Sequence, residues 1–160
     1  MNQTVSTRCW CKVLCAVAAV AALCMPASAA ACARISRLDS FGRGDVLRVT
    51  REEGACVVTV RHRHGIGAVR LTSLAPVQDL RLRFDGFPEL ESLVLSSPGG
   101  RLLCEVNRSA ATVVARRCLL NGAQVSALRP VAGGFELTVP ADLVPVAGNR
   151  LEVHWTDFWR

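Results

Sequence analysis

Two histidines, His62 and His64, carry the most chemical capacity in this chain; they sit in the run ACVVTVRHRH. At i and i+2 of an extended strand they point to the same side, a spacing at which two imidazoles can hold one metal ion. A third ligand must come from elsewhere, with His154, Asp157 or a glutamate as candidates. One reading is therefore a metal-binding protein or metal-dependent enzyme using His62, His64 and His154. The local context argues against it. Arg61 and Arg63 alternate with the histidines just before Gly65-Ile66-Gly67, which is the composition of a solvated strand end before a turn. No H-E-x-x-H or comparable ligand pattern is present.

Other catalytic arrangements fare no better. Ser96-Ser97 and Ser109 lie outside any G-x-S-x-G elbow, with no His and Asp placed to complete a triad. Glu89 and Glu91 are a carboxylate pair by sequence, but general acid/base work depends on a separation in space that spacing along the chain does not give. No catalytic residue is assigned and no cofactor is implied. A non-catalytic role leads.

The arginines suggest a binding surface instead. Arg61 and Arg63 alternate on one strand and Arg81 and Arg83 on another, so neighbouring strands would place all four in a cationic strip suited to an anionic polymer. Lys12 is the only lysine among the 19 basic residues, and the formal charge of +6 falls to about +4 once Arg8 and Lys12 leave with the leader. The arginines are spread along the chain and interleaved with acids, unlike the clustered patch of a nucleic-acid binder, so no nucleic-acid partner is expected. The absence of tyrosine likewise counts against a broad stacking surface for bases or sugars.

Residues 1–29 have the three parts of a secretory signal: Arg8 and Lys12, the apolar run VLCAVAAVAALC, and a small-residue site at Pro26-Ala27-Ser28-Ala29. The apolar run is shorter than the roughly 20 residues of a comfortable membrane span, and no later stretch is long enough, so no transmembrane segment is expected. A rival reading makes Cys32 the acylated residue of a lipoprotein, although Ala29 stands where a Leu-like residue is usual. Four of the eight cysteines depart with the leader. Cys32, Cys56, Cys104 and Cys118 remain, an even number in a chain bound for an oxidising space, whether periplasmic or extracellular. Of the three connectivities they allow, Cys104 with Cys118 across a hairpin and Cys32 with Cys56 is favoured.

The elements that must position these residues are strands. Val46–Thr50, Ala55–His64, Ala68–Thr72, Leu80–Phe84, Leu90–Ser96, Arg101–Val106 and Thr112–Leu120 alternate or are β-rich, divided by Gly, Pro and Asn every 8–12 residues or so. A polar bend is expected at Asn107-Arg108-Ser109, and Asn121-Gly122 is the strongest hairpin signal, with Ala123–Leu128 as the strand that returns from it. Residues 33–44 read as an irregular entry segment, and Ala141-Asp142-Leu143 as the one helical turn. Gly133 to Arg160 reads as a closing hairpin, with Leu151, Val153 and Trp155 on its buried side. These features predict one antiparallel β-sandwich over 30–160, with a partly closed barrel as the alternative.

The segments GIGAV, LRLRFDGFPELESL, GGFELTVPADLV and HWTDFWR resemble a group of small exported bacterial hypothetical proteins. That group carries a G-I-G motif, an L-R-L strand pair and a C-terminal W-x-D-F-[YW]-R. The similarity spans Gly65 to Arg160; it departs at the inserted Phe87-Pro88-Glu89, and at Thr156 and Trp159 where the group has Ile and Tyr. The resemblance implies a shared fold, a structural role for the Trp155–Arg160 ending, and nothing about chemistry. The functional expectation is a binding or structural module whose partner is an envelope protein or polymer.

Overall fold

The computed structural model describes residues 32–38, 45–61, 66–74, 76–87, 89–110 and 112–157. The expected leader, Arg63, His62, His64 and the final Phe158-Trp159-Arg160 lie outside the described residues. Twelve strands are described: β1 (Ala33–Arg37), β2 (Val46–Glu52), β3 (Ala55–Arg61), β4 (Ile66–Ser73), β5 (Leu80–Asp85), β6 (Leu90–Ser97), β7 (Gly100–Ser109), β8 (Thr112–Leu120), β9 (Ala123–Val125), β10 (Leu128–Val131), β11 (Gly134–Thr138) and β12 (Arg150–Asp157). One sheet runs β1-β4-β12-β6-β7-β8-β9 and the other β10-β11-β5-β3-β2. They form an all-β sandwich, and the described strands do not close into a barrel.

Period-2 alternation decides which side of each strand is buried. Cys56, Val58 and Val60 of β3, Leu80, Leu82 and Phe84 of β5, and Leu151, Val153 and Trp155 of β12 all enter one shared core. Trp155 is at its centre. Its ring meets Phe84 at 5.8 Å and Phe87 at 6.2 Å between centroids, in edge-on geometries that aromatic quadrupoles favour. Trp155 is the register partner of Gly67 on β4. The indole occupies the space where a side chain on residue 67 would begin, 2.1 Å from an added Cβ. The glycine of the G-I-G motif is thus the cavity into which the tryptophan of the W-x-D-F motif packs.

Several expectations are corrected. Residues 33–37 are a strand, β1, paired with β4. Apolar content there is too low to mark a strand, and an edge position needs little. The chain does not bend at Asn107-Arg108-Ser109. A register shift between Asn107 and Arg108 absorbs the irregularity, and the strand runs on to Ser109. Residues 123–128 do not form a single return strand. β9 ends at Val125, and the chain changes sheet at Ser126-Ala127 to enter β10. Nor is the C-terminal region a hairpin. β11 and β12 lie in different sheets, linked across the sandwich by a 3-10 turn, Ala141–Leu143, whose Leu143 is buried. The pairing is antiparallel except for β3 with β5. The chain leaves for the other sheet through β4 and returns in the same direction, so those two strands run parallel.

The disulfides are Cys32–Cys56 and Cys104–Cys118, with Cα separations of 5.9 and 4.1 Å. Cys104 and Cys118 are direct register partners across the β7–β8 hairpin. Cys32–Cys56 instead joins the start of β1 in one sheet to β3 in the other. No described helix is long and apolar enough to cross a membrane.

Candidate functional site

The strands carrying the arginines of the anticipated strip are neighbours. β3 lies beside β5, with Val57 opposite Arg81 and Thr59 opposite Arg83, so Arg61, Arg81 and Arg83 share the solvent face of the five-stranded sheet. Each, however, has an acidic partner. Arg81 donates to Asp79 at 2.8 Å, and Arg61 lies 3.8 Å from Asp85. Arg83 donates to Glu52 at 3.0 Å and to Glu136 at 3.1 Å, and Arg129 donates to the other oxygen of Glu136. Since β3 separates β5 from β2 in the sheet, the Arg83–Glu52 bridge crosses over it, and Val57 on that face is fully buried. Arg83 therefore fastens three strands together by charge. Arg61, Arg81 and Arg83 thus share a face and are each matched by an acid, while Arg63 lies outside the described residues.

The electrostatics follow from this geometry. Burial alone would raise the Glu136 carboxyl, whose side chain is 3% exposed, but hydrogen bonds from Arg129 and Arg83 outweigh it and hold the group below its ordinary value. The Arg83 hydrogen bond lowers Glu52 as well, and the bonds to Glu52 and Glu136 raise Arg83. On the opposite sheet, Arg70 donates to its cross-strand partner Glu152 at 2.6 Å and lowers that carboxyl too.

His154 sits on the solvent face of β12 between Ala68 and Val94, about half exposed, with Nε2 3.8 Å from Glu152. Among the described residues no group of three His, Cys, Asp or Glu side chains is placed to hold a metal ion; His62 and His64 lie outside them. The Ser97 hydroxyl accepts the N–H of Gly99, a turn contact. Cys32, the residue of the lipoprotein reading, is disulfide-bonded to Cys56.

A cleft of about 1210 Å³ lies at one end of the sandwich. There the tips of β7 and β8 stand opposite the β10–β11 hairpin. Val106 and Val113 form one wall and Pro130, Val131 and Phe135 the other, with Glu89, Glu91, Glu105 and Arg108 around them. Apolar and polar side chains share the lining in comparable measure, so the recess can offer both an apolar contact and hydrogen bonds to a ligand. The sequence pointed to Glu89 and Glu91 without showing what they border. The walls come from segments some twenty residues apart that belong to different sheets, and nothing in their local pattern announces that they face each other.

No family model matches this chain, and neither a curated protein nor a solved structure matches it.

Proposed function

We propose that this protein is an exported, disulfide-stapled, non-catalytic binding module of the bacterial cell envelope, belonging with the group that ends in W-x-D-F-[YW]-R. Its contact surface is the cleft between the β7–β8 tip and the β10–β11 hairpin. The leader-like residues 1–29 and the two disulfides support export, since disulfides persist in oxidising compartments. The cleft is the observation that carries the binding assignment, because it is a large recess in which Val106, Val113, Pro130, Val131 and Phe135 stand among charged and polar side chains. The partner is an envelope protein or polymer.

Val131 lines the cleft and is only half-buried, so a charged substitution there blocks the recess without emptying the core. Val131→Arg should lose retention on solubilised envelope fractions. Val146→Arg, at a position 64% exposed and outside the cleft, should bind as the parent does. Equal retention of both variants would rule the cleft out.

A further inference from the structure

The cleft is bordered by a strand edge that pairs with no strand among the described residues, although Ser126, Ala127 and Leu128 line a hollow with Arg116 at its Cys118 end. β9 pairs only with Cys118–Leu120, so from Thr112 to Arg117 the outer edge of β8 has no neighbouring strand among the described residues. No backbone hydrogen bond from another described element reaches it. Such an edge offers a row of N–H and C=O groups to any extended chain that approaches.

Apart from the three residues of β9, the other sheet ends differ from this one. β10 carries Pro130, which has no N–H to give. On the opposite side of the sandwich β1 packs against β2, with Cys32–Cys56 joining the two sheets. The β8 edge is also held rigid, because Cys104–Cys118 fixes it to β7 at the point where β9 ends.

Its charge selects the occupant. Arg116 and Arg117 are exposed, and unlike Arg61, Arg81 and Arg83 they have no ion-pair or hydrogen-bond partner within bonding distance among the described residues, Glu105 being the cross-strand neighbour of Arg117. Arg116 shares the side of Cys118 and Arg117 that of Leu119, so a strand laid antiparallel along this edge meets them with two consecutive residues, one on each face. Beyond them the register shift at Asn107/Arg108 leaves Val113 on the cleft wall. A second copy of this chain pairing edge to edge would bring four unpaired arginines together, which disfavours self-association. A segment with two adjacent acids and an apolar residue two positions later satisfies both features.

We infer that β8 is a docking edge. It takes an extended, acid-bearing segment of a partner protein as an added strand, with an apolar side chain of that segment seated in the cleft. This rests on the binding-module reading and specifies the partner's chemistry. Main-chain pairing of this kind supplies affinity, while the side chains on alternate faces supply selectivity.

The test uses the full exported chain and three acetylated ten-residue peptides. The first is a Thr-rich strand former with Glu-Glu followed two residues later by Val; the second has Lys-Lys in place of the acids; the third has proline at alternate positions. The Glu-Glu peptide should bind at least tenfold more tightly than the Lys-Lys peptide, the proline peptide should not bind, and amide exchange should slow at residues 112–117. Arg116→Glu with Arg117→Glu, at two exposed positions, should reverse the preference, which a folding defect would not do. Equal affinity for the two charged peptides, or slowed exchange elsewhere, would overturn the inference. So would protection of 112–117 that rises with protein concentration alone, which would mean pairing between copies. If a peptide perturbs Val131 and Phe135 but leaves 112–117 unprotected, strand addition fails while the cleft stands. If none perturbs the cleft and Val131→Arg also retains envelope binding, both fail.

Discussion

A methyl group on Gly67 would sit 2.1 Å from Cζ2 of Trp155 and 2.3 Å from Cε2, distances that no real Cβ contact tolerates. Gly67 carries no positive φ, so its requirement is space and not backbone freedom. Gly67→Ala should therefore destabilise the fold by about 1–3 kcal/mol through overpacking. Trp155→Phe shrinks the ring that causes the clash, so Gly67→Ala should cost less in that background. Urea unfolding of the four combinations gives the coupling directly. A purely additive cycle would mean the indole is not what keeps residue 67 small. At this scale the sequence was partly legible. Trp155 falls on the apolar side of an alternating strand, so its burial follows from its position, whereas its match with Gly67 depends on a register between strands far apart in the chain.

At the scale of elements, the solvent face of the five-stranded sheet is held by a charge network on β2, β5, β10 and β11. Glu52 and Glu136 both have carboxyl groups lowered from an ordinary value of 4.5 in the folded protein. As pH falls toward that value, the unfolded chain takes up protons that the folded one still refuses. The stabilisation from these pairs is complete above about pH 4.5, and it is lost as pH drops through the lower folded values. Glu136→Gln should flatten this acid limb and leave the profile above pH 6 nearly parallel to that of the parent. Glu136→Ala, which also removes the acceptor of Arg129 and one of the two of Arg83, should cost about 2–3 kcal/mol at neutral pH. Chemical denaturation between pH 3 and 7 measures both, and an unchanged acid limb in Glu136→Gln would show that other carboxylates control acid sensitivity. Alternation along Leu80–Phe84 and Phe135–Val139 foretold which side of each strand would be polar. It did not foretell that Glu52 of β2 and Glu136 of β11 would both meet Arg83, because alternation assigns faces and leaves neighbours open. The same gap explains why β11 and β12 read as a hairpin: two amphipathic strands around Pro140 look alike whether they pair or sit in opposite sheets.

For the whole molecule, the two disulfides do different jobs. Cys104–Cys118, 14 residues apart, joins strands that already pair, and Cys32–Cys56, 24 residues apart, joins one sheet to the other. Loop closure in the unfolded chain depends only weakly on length, so on entropy alone removing either should cost about 2–4 kcal/mol, with a difference of roughly 0.5 kcal/mol between them. The native state separates them further. β1 is an edge strand with one pairing partner, β4, and Cys32 anchors its start to the core beside Cys56. Replacing Cys32 and Cys56 by alanine should therefore speed amide exchange in Ala33–Arg37 well beyond the global change, while central β12 tracks global unfolding. Replacing Cys104 and Cys118 should leave β1 protected and loosen the β8 edge. Exchange that rises uniformly over all strands in both variants would mean that the disulfides act only through the unfolded chain. The four cysteines and their even number were plain in the sequence, as was the pairing of the nearer two across a hairpin. That the other pair would bind one sheet to the other follows from β1 and β3 lying in different layers, a consequence of chain crossings that no local pattern records.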